Sequence, residues 1–150
     1  MSITRTWLDA EPLLLQRLRQ ALPEVVVMLE VDASSNTGEL PVPCVLLRYT
    51  GYRTLSVQPR GQAAKLSAGW QALVVDRLGT ERDPSGPARA RIADLCARTL
   101  AALIGLRLPG FPEPVALAEA SGSFIEGGLL FHPCACSLDL VVVAQAAAPA

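Results

Sequence analysis

Pro43–Thr50, PCVLLRYT, and Ser67–Arg77, SAGWQALVVDR, are separated by residues 51–66, GYRTLSVQPRGQAAKL. The outer segments are apolar and rich in β-branched and aromatic residues, the composition of strands. Trp70 alternates with Ala72 and Val74, which assigns it to a core face. The middle segment is dominated by Gly, Arg, Gln and Ser, and only Leu55 and Val57 are good core residues. It reads as one long polar loop. Loops beyond roughly 12–15 residues are uncommon in compact domains and usually functional. The expectation is therefore a strand, an arm-like loop at about 51–66, and a second strand, in a chain that works by contact.

Working outward, Leu14, Leu15, Leu18 and Leu22 recur at helical spacing. Asp9 is placed to cap that helix, Pro12 fits its first turn and Pro23 stops it, with Trp7 and Ile3 available for an earlier turn or staple. VVVMLEV, Val25–Val31, is a continuous β-branched run and predicts a buried strand. Turn residues centred on Asn36–Gly38 lead into the strand at 42–50. A second loop covers residues 79–87. Next, Ile92, Leu95, Cys96, Thr99, Leu103 and Ile104 mark a helix, capped by Ser85 or Gly86 and ended by Gly105. Asp94 and Arg98 form an i,i+4 pair on its polar side.

Beyond the stiff PGFPEP connector, residues 115–120 predict a short strand, and Gly127-Gly128 a turn into a long final strand, LLFHPCACSLDLVVV. Its alternation sets Cys134, Cys136, Leu138, Leu140 and Val142 on one face. Pro133 calls for a bulge, a bend or an edge. Residues 145–150 read as a frayed tail. Strands following strands predict an α+β domain spanning residues 1–150. Its sheet is mixed and largely antiparallel, and its two main helices pack on one face.

Composition narrows the function classes. The chain is 51% hydrophobic and only 18% charged, with mean hydropathy +0.34. That favours packing against other subunits, or reflects an alanine-rich composition of the kind a GC-rich genome encodes. Thirteen basic residues against fourteen acidic ones carry no global bias toward nucleic acid or anionic membrane, and no apolar run is long enough to span a bilayer. The opening MSITRTWLDAEP lacks a signal-peptide core, so the chain is expected in the cytoplasm when made. Cys44, Cys96, Cys134 and Cys136 each lie in an apolar pattern and read as reduced buried thiols.

The chemical candidates centre on His132, Cys134 and Cys136. Thiolate and imidazole are zinc ligands, but on a straight strand these three point one way, and a tetrahedral site requires a fourth ligand, from Cys44 or Cys96. The single histidine would also have to serve any Cys-His unit, and no nucleophile elbow or phosphate-cradling loop accompanies it. The expectation is no enzyme, no cofactor and no resident metal, with His132, Cys134 and Cys136 as the metal alternative.

The order of elements resembles the tail-terminator proteins of long-tailed bacteriophages, especially the small minor tail proteins of Mu-like prophages. The leucine-rich opening helix, VPCVLLRY at 42–49, GWQALVV at 69–75, the arginine-bearing helix at 88–103, GLRLPGFP at 105–112 and the Gly127-Gly128 turn before a long strand carry the resemblance. It implies a virion protein forming a hexameric ring at the head-proximal end of the tail. That ring stops tube polymerisation and meets the head connector. The partners implied are further copies of the chain, the tail tube protein and a head-completion or connector protein, with neither membrane nor specific nucleic acid. Another neck or head-completion subunit is the nearest alternative. The loop would then be an arm reaching a neighbour through Tyr52, Arg53, Gln58, Arg60 and Lys65.

Overall fold

The computed structural model describes residues 7–34, 39–77 and 87–144. The turn at Asn36–Gly38, the caps Ser85 and Gly86, Ile3 and the tail at 145–150 lie outside the described residues. A 3-10 turn, Trp7–Asp9, leads into α1, Ala10–Ala21. Asp9 has helical backbone angles and its side chain does not cap the helix, because that extra turn already precedes it. Ala10, Leu14, Leu18 and then Leu22 are fully buried.

The run at 25–31 divides. β1, Val26–Leu29, is followed at once by the short α2, Glu30–Ser34, so the expected seven-residue buried strand is corrected. β1 is an outer strand that pairs with β2 over four residues, in parallel. Only Val27 of β1 is buried, and Val31 lies exposed in α2. Apolar character signalled burial on both faces, but an edge strand has cover for little more than one.

The larger correction concerns residues 51–66. β2 runs Cys44–Val57 and β3 runs Ala63–Arg77, antiparallel, with only residues 58–62 between them. The expected loop is thus most of a β-hairpin. β3 is the central strand. It pairs with β2 on one side and, without a register shift, with β6, Leu129–Val143, on the other. The path through the sheet is β1-β2-β3-β6-β4, where β4 is Ala116–Leu117, and β5, Phe124–Glu126, also pairs with β6. Gly127 and Gly128 both have positive φ (58° and 76°), as a two-residue type I′ hairpin turn demands. Pro133 sits in the part of β6 between its β5 and β4 pairings, the edge-like position open to a residue without an N–H.

The fold is α+β, with a mixed, mostly antiparallel sheet of six strands. α1 and α3, Pro87–Leu103, cover one face. Val45 and Leu47 of β2, Trp70, Ala72 and Val74 of β3, and Cys134, Cys136 and Leu138 of β6 form that face with both helices. Ile104, expected on the α3 stripe, is exposed, and Ala102 takes the inward position. The helices are stitched reciprocally. Arg17 of α1 donates to the Ala102 carbonyl, and Arg98 of α3 donates to the Ala21 carbonyl and pairs with Glu24 and Asp94. A smaller apolar cluster on the opposite face, Cys44, Leu46, Leu73 and Val75, is covered by Ala33, Leu40 and the β5–β6 hairpin.

Two positions are tuned tightly enough to test. A methyl group added at Gly69 would lie 2.7 Å from Thr50 Oγ1, a residue the β2 bulge lays across the neighbouring strand. Gly69→Ala should therefore cost about 1–3 kcal/mol by overpacking. Urea denaturation of Gly69→Ala with Thr50→Ala should recover most of the loss, because the clashing hydroxyl is gone. Conversely, the Thr99 hydroxyl is buried without a hydrogen-bond partner. Thr99→Val should raise stability, by about 1 kcal/mol in the same assay, since a desolvated and unpaired hydroxyl is removed.

Candidate functional site

The feature that leaves the body of the domain is the outer part of the β2–β3 hairpin. Pairs Tyr52↔Ala68, Arg53↔Ser67 and Thr54↔Leu66 continue the ladder, and Val57↔Ala64 closes it. Register shifts between Tyr49 and Gly51 and between Thr54 and Ser56 insert bulges, which bend and twist a strand. At the tip, Gln58 N–H donates to the Ala63 carbonyl at 2.8 Å. Arg60 and Gly61 take left-handed backbone angles (φ 71° and 65°) to reverse the chain. Glycine accepts that geometry freely and arginine does not. The Ala144 N–H donates to the Gln62 carbonyl at 2.7 Å, tying the end of β6 to the tip.

Side chains directly opposite in a ladder share a face, so the register assigns each predicted contact residue. Tyr52 lies on the helix side of the sheet, and Arg53 and Lys65 lie on the other. Gln58 and Arg60 are exposed at the tip. Tyr52 and Arg53 are also exposed, whereas Lys65 is half-buried and pairs with Asp139 at 3.8 Å. The five residues line one projecting ribbon but do not converge on one patch. The sequence reading missed Val141 and Val143, which are exposed beside the hairpin at the end of β6. The signal available was their alternation in a strand longer than the helices can cover.

On the face away from the helices, an open cleft of about 550 Å³ lies between β2 and the β4 segment. Gly69 and Ser137 line its floor, and Arg53, Leu117 and Glu119 its sides. At one end Arg48 donates to Gln71 Oε1 at 2.7 and 3.0 Å and pairs with Glu30 at 3.5 Å, while Gln71 donates to Ser121 Oγ. Arg48 is thereby held to the sheet rather than joining Arg53 and Arg60.

The His132-Cys134-Cys136 stretch assembles no metal centre. Among the described residues no three His, Cys, Asp or Glu side chains group to hold a metal ion. His132 is exposed, whereas Cys134 and Cys136 are buried in the helix-side core. The fold does bring Cys96 of α3 against Cys134, and a hydrogen bond between these thiols pushes Cys96 up and Cys134 down from the ordinary thiol value. All four cysteines are free and buried.

The buried carboxylate Asp76 accepts from Arg91 at 2.9 and 3.3 Å and from the Arg77 N–H. This is an ion pair that pins the start of α3 to the end of β3. Among the described residues, no helix is long and apolar enough to cross a membrane. No protein-family model and no curated protein matches the sequence.

Burial pushes the Cys44 thiol up from 9.0 to about 11, with a contribution from the Asp76 charge, and desolvation pushes Cys136 up to about 12. A raised thiol value favours the neutral form in the fold. The stabilisation is complete below the ordinary value and is lost as pH rises through the folded values. Urea midpoints should therefore fall as pH climbs from about 9 toward 11–12. The decline should be shallower in Cys44→Ala with Cys136→Ala, whatever the absolute stability of that variant.

Proposed function

We propose that this chain is a structural virion protein. Its copies form a hexameric ring that caps the phage tail tube, stops tube polymerisation and presents a surface to the head connector. The observation that carries the reading is the projecting ribbon. Residues 52–60 are exposed along their whole length, although residues 52–57 belong to a strand ladder. The β2 arm and the tip bury little of themselves and add little to the stability of their own domain, whereas Leu66 and Ala68 of the β3 arm belong to the core. The order of the β2 arm is instead useful to something that binds it, because a pre-formed strand pair loses less conformational freedom on docking than a loop.

Three further features support the reading. The described residues contain the segments on which the resemblance rests as regular elements, among them the opening helix, the strands within 42–49 and 69–75, the helix at 88–103 and the Gly127-Gly128 turn before a long last strand. The charge-poor composition suits a surface covered by neighbours. The polar side chains on the ribbon are single, separated groups, which suits contact along a line more than chemistry at a point.

The ladder offers a clean test. Replacing residues 55–65 by Asn-Gly closes the hairpin at the Thr54↔Leu66 pair with a favoured two-residue turn. The shortened chain should keep its circular dichroism spectrum and melt within a few degrees of the parent. In native mass spectrometry it should remain a monomer under conditions where the parent forms hexamers, and it should not stop tube growth in an assembly reaction. Rings and capped tubes from the shortened chain would rule out the ribbon as the assembly element.

A further inference from the structure

We infer that the chain associates with a second copy of itself, head to tail, by pairing the outer edge of β2 with the outer edge of β6, so that the sheet runs on from copy to copy. Strand pairing on the outer side of β2 ends at Leu47, where β1 stops. On β6 it ends at Ser137, where β4 starts. Residues 53–57 and 138–143 therefore form the two borders of the ribbon, and among the described residues no strand lies against either. Such borders present backbone donors and acceptors to any strand that can reach them. They are of similar length and at the same end of the molecule.

Charge selects which border meets which. Between Glu39 and Asp76 the sequence holds Arg48, Arg53, Arg60 and Lys65 and no acidic residue. After Arg107 it holds Glu113, Glu119, Glu126 and Asp139 and no lysine or arginine. The charged residues of the hairpin between positions 40 and 75 are thus all basic, and those beyond Arg107 all acidic. The register sharpens this, because Arg53↔Ser67 and Ser67↔Asp139 place Arg53 and Asp139 at opposite ends of one cross-strand row. Joining the β2 border to the β6 border brings the two signs together. Joining β2 to β2 opposes Arg53 to Arg53, and joining β6 to β6 opposes one Asp139 to another, each already sharing Lys65 of its own chain. Exposed apolar side chains lie along both borders: Leu55 (41%) and Val57 (60%) on β2, Val141 (55%) and Val143 (67%) on β6.

β2 and β6 both run antiparallel to β3, so they run the same way as each other. A copy related by rotation about an axis along the strands pairs β6 to β2 in parallel. That contact is heterologous and repeats, giving a closed ring where the rotation closes and an open filament where it does not. The inference rests on the ring reading above only for closure; the pairing of borders stands without any tail tube.

Charge exchange tests it. Arg53→Asp makes the β2 border acidic, and Asp139→Arg makes the β6 border basic. Each variant alone should associate at least tenfold more weakly than the parent by sedimentation. An equimolar mixture should recover parental association as alternating copies, since each altered border then meets an opposite charge. In the parent, amide exchange at residues 53–57 and 138–143 should slow at least tenfold on association. A parent that stays monomeric at every concentration, variants that associate normally, a mixture that does not recover, or unchanged exchange at both borders would each overturn the inference. The exchange measurement needs no variant and so is indifferent to misfolding. Rings that pass these tests yet leave tube growth unaffected would sink the tail reading and leave the border pairing intact.

Discussion

The structure depends on the burial of Trp70 at the centre of β3. Its indole lies against Tyr49 of β2, with ring centroids 5.5 Å apart, and its register partner on β6 is Cys136. Its N–H donates to Glu11 of α1 at 3.3 Å. One side chain thus joins the three long strands to the first helix. A buried indole must satisfy its donor, so the position of α1 over the sheet is constrained by a polar contact as well as by packing. The Gly69 next to it carries no side chain, and the bulged Thr50 occupies that space.

From that centre the sheet has two regimes. Between Cys44 and Trp70 on one side and Phe131 and Cys136 on the other, both faces carry apolar cover, from α1 and α3 below and from α2 and the β5–β6 hairpin above. Past Gly69 the cover thins over β2, whose residues 52–57 are exposed, while Leu66 and Ala68 of β3 and Leu138 and Leu140 of β6 stay buried in the helix-side core. The β2 arm is held there largely by backbone pairing to β3, which contributes modestly in water. The β2 arm and the tip, residues 52–60, are therefore the ordered part of the sheet that the core does least to hold.

Much of the body was legible in the sequence because local pattern and final environment agree there. Leu14, Leu18 and Leu22 are inward in α1 as their spacing demands. The alternation from Cys134 to Leu140 marks the face that is buried. The legible part failed where a segment's environment is set by distant chain. Residues 51–57 have neither a continuous apolar run nor strict alternation, because their side chains are largely exposed, and in residues 63–66 only Leu66 is buried. The first segment is a strand because it pairs with β3, and the second because it pairs also with the end of β6, far along the chain; no local pattern encodes that. The opposite error befell Val25–Val31, whose β-branched run suggests two covered faces in a strand that lies at the sheet edge and ends at Leu29. At the candidate site, the exposure of Tyr52, Arg53, Gln58 and Arg60 was readable from polarity. The placement of Val141 and Val143 beside them, and of Cys96 against Cys134, required the fold.

The segregation of sign along the chain has a physical result that the net charge of −1 conceals. Positions 40–75 carry four basic residues and no acidic one, and positions beyond Arg107 carry four acidic residues and no basic one. A molecule of that kind is not described by its isoelectric point of about 5.8. Its exposed Arg53 and Arg60 can hold it to a cation exchanger at a pH where its net charge is negative, because a charged surface meets the local sign before the average one.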